Sequence, residues 1–284
     1  MGRTRHSYFL AFFCFLMLGC QSPGRQQDAD IDALLWSTAS AEYDVIARQV
    51  YFQAQRQLDR LLTRKEESAA LEQQPPFSQL PPAIIVDVDD TLLSNGALHY
   101  RLLAEGKPFD NDAWTSWVNG ANSRLIPGSL DYVQYASRKG ITVFYVSNRD
   151  ASLLDGTRRN LKQLGFPLDE QKQQLLMLNG REDWTWDKSS RRAYIAKNYR
   201  VLQVIGDGLG DFMGSTASMT LEQQKGASLE YMAYWGEKWF MLPNPVYGDW
   251  ETAILTGGAS PMPKSDSLGA KYRFIRGGES QGVW

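Results

Sequence analysis

The sequence predicts an α/β fold, an open, doubly wound parallel sheet of the Rossmann-like kind carrying a smaller helical cap. Three observations predict it. Five short, nearly continuous apolar runs alternate with helical stretches, the pattern of parallel strands covered on both faces. The first four runs are each followed by polar residues, and in open sheets of this type ligands bind outside the carboxyl ends of the strands. Between the first and second runs lie roughly fifty residues, much more than an ordinary crossover uses, with Trp114, Trp117, His99, Tyr100 and Phe109 among them.

The chain opens MGRTRHSYFLAFFCFLMLGCQS, with a basic start at Arg3 and Arg5, an apolar stretch from Tyr8 to Leu18 and a small residue before Cys20. Residues 1–20 are therefore expected to be a secretory signal, short for a membrane span. Met17-Leu18-Gly19-Cys20 resembles a bacterial lipobox, which would make Cys20 the lipidated first residue of the mature chain. Gln21 after it is compatible with outer-membrane sorting, giving an expected location in the cell envelope. Processing would remove Cys14 and His6, leaving no thiol pair and His99 as the single histidine. Multi-histidine zinc sites are thereby excluded, and carboxylates are expected to carry any chemistry.

Residues 21–82 read as an N-terminal helix and a linker. From about Asp30 to Thr63, Leu34, Leu35, Tyr43, Ile46, Val50, Ala54, Leu58 and Leu61 recur at spacings of three and four, predicting one amphipathic helix with a core-facing stripe. EQQPPFSQLPP, with four prolines, then breaks the pattern. Residues 83–255 hold the sheet, with expected strands at AIIVDV (83–88), ITVFYV (141–146), LLML (175–178), VLQVI (201–205) and KWFML (238–242). A cap insertion is placed at about 93–127, where Trp114 and Trp117 are expected to be core packing. The tail, 256–284, is rich in Gly, Ser and Pro and is expected to have little regular structure.

A formal net charge of −2 with both signs scattered offers no basic face for a nucleic-acid polymer. Function must be read from local sites. In IIVDVDDT the first run ends in Asp87, Asp89 and Asp90. Strand alternation would put Asp87 and Asp89 on one face and Asp90 on the other, where it would help hold the turn. Two close carboxylates need a cation or a shared proton. Asp207 ends another run and Asp211 follows four residues later in GDGLGD, so the oxygen-rich set suits magnesium better than zinc. A calcium loop starting at Asp87 is excluded, because Leu92 and Leu98 stand where it needs Gly and Glu.

A carboxylate can also attack phosphorus, with its paired neighbour moving the proton. Lys188 in Asp187-Lys188-Ser189 would offset the crowded negative charge, and a hydroxyl and backbone amides at Ser147-Asn148 would hold phosphate oxygens. Each piece has a bland alternative. Ser147 could cap a helix, Lys188 could belong to a solvated basic run with Arg191 and Arg192, and GDGLGD could be only a turn. Their occurrence together and in this order favours the functional reading.

DVDDT, VFYVSNRD, DKSSRRA and GDGLGDF, together with SAEYDVIARQVY, EGKPFDNDAWTSWV and WFMLPNPVYGDWE, carry a resemblance over nearly the whole mature chain. The sequence resembles the haloacid dehalogenase (HAD) superfamily of phosphohydrolases, and within it the class C, four-aspartate acid phosphatases that include bacterial outer-membrane lipoprotein 5′-nucleotidases. The resemblance implies Asp87 as nucleophile and Asp89 as general acid/base. It implies Mg2+ held by Asp87, the backbone carbonyl of Asp89 and Asp207, with Asp211 orienting the metal or Lys188. Lys188, Ser147 and Asn148 would bind the phosphoryl group, and Thr91 would support the first loop. The implied substrates are small phosphomonoesters, nucleoside monophosphates prominent among them, with Phe109 and Tyr247 in the regions that sandwich the base. SNGALHYRLLAE matches the family only loosely, and it lies where the leaving group would enter. Two other readings stay open: phosphotransfer to alcohols at the same site, and a non-enzymatic binding or storage protein on the same fold. The sequence leaves the oligomeric state undetermined.

Overall fold

The computed structural model describes residues 24–169, 171–257 and 267–280, so Cys20 and the signal lie outside the described residues. In chain order the elements are α1 (Gly24–Ala39), α2 (Ala41–Thr63), β1 (Pro82–Val86), β2 (Leu93–Ser94), α3 (Gly96–Ala104), α4 (Asn111–Gly120), β3 (Arg124–Leu125), α5 (Ser129–Arg138), β4 (Thr142–Asp150), α6 (Leu154–Gln163), β5 (Leu175–Leu178), α7 (Ser189–Ala196), β6 (Arg200–Gly206), α8 (Leu221–Glu230), β7 (Trp239–Met241), α9 (Asp249–Thr256) and α10 (Ser267–Ser280). The five long-range strands form one parallel sheet in the order β5-β4-β1-β6-β7.

Strand alternation builds two cores. Ile84, Val86 and Val88 point to one face, where they meet Tyr43, Ala47, Tyr51, Ala54 and Leu58 of α2 and Tyr132 and Val133 of α5. Ala83 and Ile85 point to the other, among Phe144, Val146, Trp184, Ile195, Phe212 and Trp239. Both faces of β1 are thus dry, which is why its run shows no polar alternation. Two buried polar side chains satisfy each other between α2, α5 and β6: the Tyr132 hydroxyl lies 2.6 Å from Gln203 Oε1, and Gln203 Nε2 donates to the Ala54 carbonyl at 2.9 Å.

The expected strands all form, with shifted ends. β1 stops at Val86, before the acids, whereas β4 continues through Ser147, Asn148 and Arg149 to Asp150. Ser147 therefore lies within a strand and does not cap a helix. The single N-terminal helix is in fact two, interrupted at Ser40, whose Oγ accepts from Tyr43 N at 3.0 Å to cap α2 and donates to the Trp36 carbonyl at 2.7 Å. The break rotates the stripe. Tyr51 and Ala47 are buried, while Leu35 and Ile46 face solvent.

Residues 93–125 leave the sheet edge and return through a two-residue antiparallel ladder, Leu93 with Leu125 and Ser94 with Arg124. The helices α3 and α4 stand on this stem, and α1 packs on α3. Gly96 permits that approach, since a Cβ there would lie 2.3 Å from Thr38 Cγ2. The Thr38 and Tyr100 hydroxyls, 2.6 Å apart, join the two helices. The tail differs from expectation, because α10 forms in it and packs on α9, with Lys271 Nζ 2.6 Å from Glu251 Oε1.

Tyr51 of α2 reaches under the sheet edge and donates its hydroxyl to the Thr91 carbonyl at 2.6 Å, tying the N-terminal helix to the loop after β1. Tyr51→Phe should cost about 1 kcal/mol by deleting this one buried hydrogen bond and leaving the carbonyl unmet. Urea denaturation of the two proteins measures it, and equal midpoints would show that the bond contributes nothing.

Candidate active site

The central position of β1 places its carboxyl end between β4 and β6. Asp87 N still donates to the Ile205 carbonyl at 2.9 Å, so Asp87 is held in the sheet although the regular strand has ended. Its parity is that of Ala83 and Ile85, the face covered by α7, and Lys188 at the start of α7 reaches it. Lys188 Nζ donates to Asp87 Oδ1 and, at 2.5 Å, to Asp211 Oδ1, with all three side chains buried. Oxygens of Asp87, Asp207 and Asp211 all lie within 4.8 Å of one another. Asp207, partly buried, accepts from Asn244 Nδ2 at 2.7 Å and Thr91 Oγ1 at 3.3 Å. Gly206 is required by this crowding, since a Cβ there would stand 2.1 Å from Asp211 Oδ2.

Asp89 does not share these partners. Because β1 ends early, alternation no longer governs it, and its carboxylate turns towards β4 and the cap. Arg149 Nη2 and Nε donate to Oδ1 at 2.8 and 3.0 Å, Asn95 Nδ2 donates to Oδ1 at 2.9 Å, and Ser147 Oγ lies 3.2 Å from Oδ2. Asp90 adopts a left-handed backbone (φ 49°), tolerable for Asp, and accepts from Asn95 N at 2.9 Å and the Tyr247 hydroxyl at 2.6 Å. It holds the turn, as expected, and also fixes Tyr247.

Electrostatics separate the acids. Burial, with the charges of Asp211 and Asp89, outweighs Lys188 and raises the Asp87 carboxyl to about 7. Burial and the charges of Asp87 and Asp211 push Asp207 well above the ordinary range, against the Asn244 hydrogen bond. Burial would raise Asp89 too, but the Arg149 charge and hydrogen bonds, with Asn95, hold it below the usual value. Lys188 is lifted above a free lysine: burial alone would lower it, and Asp211 and Asp87 reverse that. Three carboxylates facing one ammonium leave an excess of negative charge on an all-oxygen donor set, which a hard divalent cation fits.

Several residues stand where the sequence did not put them. Arg149, with a fully buried side chain, is the principal partner of Asp89 and was not singled out, although VSNRD offered it as a cation at a strand end. Asn95 and Asn244 were also missed, and polar amides in loops carry no sequence signal of their own. Arg191 and Arg192 are fully buried, not a solvated run. The Asn148 side chain is engaged by neighbours, with Nδ2 donating to the Trp186 carbonyl at 3.0 Å and Oδ1 accepting from Arg191 at 2.6 Å. Trp114 and Trp117 are half-buried and serve the site instead of filling a core. Trp114 lies under the Arg149 guanidinium, 5.4 Å from ring centroid to Cζ, and Trp117 Nε1 donates to Asn95 Oδ1 at 3.1 Å. Phe109, 42 % exposed, stands 6.0 Å from Trp114 on the loop before α4.

The family described as HAD superfamily, subfamily IIIB (Acid phosphatase) matches residues 22–250. The chain belongs to this family. It is similar to the class C acid phosphatase from Bacillus anthracis at 27 % identity, covering 87 % of this chain and 96 % of that one, with TM-scores of 0.74 and, for the form with tungstate bound, 0.75. It is also 29 % identical over 168 residues to Acid phosphatase 1 of Solanum lycopersicum, 57 % of each chain. The chain spans little more than half the length of the curated relatives it matches. Its parallel five-stranded sheet flanked by helices is that of the HAD-like class C fold expected from the sequence.

A cation entering among Asp87, Asp207 and Asp211 must compete with the protons that their raised pKa values favour on Asp87 and Asp207. Raised carboxyl pKa values mean that the protonated forms persist up to about pH 7 for Asp87. Divalent-cation affinity should therefore weaken as pH falls from 8 to 5.5, with protons released on binding at the lower pH. Titration calorimetry in buffers of different ionisation enthalpy reads both, and a pH-independent affinity would contradict a shared-carboxylate site.

Proposed function

We propose that this protein is a Mg2+-dependent phosphomonoesterase that hydrolyses small monoesters, 5′-nucleotides foremost, through an aspartyl-phosphate on Asp87. The observation that carries the reading is Lys188 held between Asp87 and Asp211 beside Asp207 at the end of the central strand. This arrangement leaves Asp87 one oxygen free of lysine. It also supplies fixed positive charge where a phosphoryl group would lie.

Asp87 attacks phosphorus in line and forms the acyl phosphate as the ester bond breaks. Asp89 delivers a proton to the departing oxygen, then takes one from the water that cleaves the intermediate and restores Asp87. At rest Asp89 is an ionised carboxylate gripped by Arg149, so donation requires it to gain a proton and turn towards the leaving oxygen, a step favoured in mildly acidic solution. Mg2+ held by Asp87, the Asp89 backbone carbonyl and Asp207 would neutralise phosphoryl charge. Lys188, Ser147 and the backbone at Asn148 hold the phosphoryl oxygens, Asp211 orients Lys188, and Thr91 steadies Asp207.

Phe109 and Tyr247 would stack on the nucleobase. Phe109 stands exposed on the cap, connected through Trp114 and Arg149 to Asp89, while Tyr247 is pinned by Asp90 and backed by His99 at 5.8 Å. Lipidation at Cys20 would hold the protein to the cell envelope. No described helix is long and apolar enough to cross a membrane. Mass spectrometry of the mature N-terminus tests the anchor, and an unmodified cysteine or a different first residue would refute it.

Asp87→Asn should reduce p-nitrophenyl phosphate turnover to background with the fold retained, and Asp89→Asn should lower kcat by roughly 10²- to 10⁴-fold. Full activity in Asp87→Asn would sink the mechanism. Chelation should abolish activity and magnesium restore it; undiminished turnover in chelator would remove the metal from the account. Phe109→Ala should raise KM for nucleoside monophosphates while leaving that for p-nitrophenyl phosphate nearly unchanged, and equal effects on both would argue against base stacking.

A further inference from the structure

Arg191 and Arg192 take no part in the proposed steps, yet both are fully buried directly behind them. They follow Lys188 by three and four positions on α7, so the three side chains leave neighbouring points of the same helix. Lys188 meets Asp87 and Asp211, while each arginine is spent on a different segment of the chain. Arg191 Nη1 donates to the Ser147 carbonyl at 2.7 Å, and its Nη2 donates to Asn148 Oδ1 and the Thr185 carbonyl, both at 2.6 Å. Arg192 Nη1 donates to the Gly210 and Asp211 carbonyls at 3.1 and 3.0 Å, its Nη2 to Ser189 Oγ at 2.9 Å, and its Nε to Glu72 Oε1 at 3.0 Å.

Packing does not explain these residues. A buried guanidinium is costly, and Arg191 Nε finds no partner among the described residues. An apolar side chain would fill the space without that cost, but only a planar fork reaches acceptors in several directions at once. What the forks reach is functional backbone: the end of β4 on one side and the loop after β6 on the other.

We infer that Arg191 and Arg192 are positioning residues with separate duties, Arg191 setting the Ser147-Asn148 segment that receives phosphoryl oxygens and Arg192 setting the Asp211 loop on which the metal and Lys188 depend. The inference rests on the phosphatase reading. It makes α7 the common anchor of both halves of the site, and it divides oxyanion recognition from cation recognition between two adjacent residues.

The test is a double dissociation read by calorimetry with tungstate and magnesium as probes. Arg191→Lys keeps the charge but cannot reach three acceptors; it should weaken tungstate binding at saturating magnesium by about tenfold, the worth of one charged hydrogen bond. Its magnesium affinity should stay within about twofold of wild type. Arg192→Lys and Glu72→Gln should show the reverse, magnesium binding weakened by a larger factor than tungstate binding at saturating magnesium, which they reach only through Lys188. Equal loss of both ligands in every variant, or wild-type affinities throughout, overturns the division. Glu72→Gln changes only a part-exposed partner, so it carries the test where a buried lysine is not tolerated, and unchanged magnesium affinity there also overturns it. Wild-type protein that binds neither probe would instead remove the phosphatase reading itself.

Discussion

The buried ammonium of Lys188 between Asp87 and Asp211 is the interaction on which the remaining structure turns. Without it, β1 would deliver an isolated carboxylate into a nearly dry edge, where ionisation is expensive. One lysine does not neutralise three acids, and the imbalance is chemically useful. Together with burial, the larger cause, it leaves Asp87 and Asp207 protonated more readily than free carboxylates, and it leaves the set suited to a hard cation. The same excess of negative charge thus defines the kind of ion the site suits.

Delivery of these groups to one place is a consequence of register. β1 lies between β4 and β6, with Val86 level with Tyr145 on one side and Ile205 on the other, so the residues that follow these positions come to one level of the sheet. They supply Asp87 and Asp89 after β1, Ser147 to Arg149 in the last residues of β4, and Asp207 after β6. Helix α7 then closes the arrangement from the second face, bringing Lys188 forward and burying Arg191 and Arg192 behind it. Lys188 and the two arginines behind it are therefore neighbours on one helix, while the acids they serve come from separate strand ends.

The cap is joined to the chemistry through Asp89. One path runs from Phe109 to Trp114 to Arg149 to the carboxylate, and another from Trp117 through Asn95 to the same oxygen. Asp90 extends the connection to Tyr247. In the proposed reaction, the acid that handles the proton and the aromatics that face the leaving group are consequently parts of one contact network.

The sequence by itself determined the fold class, the strand positions to within a few residues, and the gathering of Asp87, Lys188, Asp207 and Asp211, because apolar runs that end in charge have few ways to be buried. It also marked Asp90 as the acid of the turn. The partner of Asp89 was not legible: alternation predicts that Asp89 stays beside Asp87, and only the early end of β1 frees it to meet Arg149. Nor was the burial of Arg191 and Arg192, since an Arg-Arg pair on a helix reads as surface until the end of β4 and the loop after β6 are seen to need its donors. Helix α10 was likewise settled by tertiary contact, its packing on α9, whereas the break at Ser40 rests on a local cap that outcompetes helix continuation. Local pattern decides which residues must be hidden. Which polar groups meet in hiding depends on where strands stop and loops return, and those ends are set by partners distant in the chain.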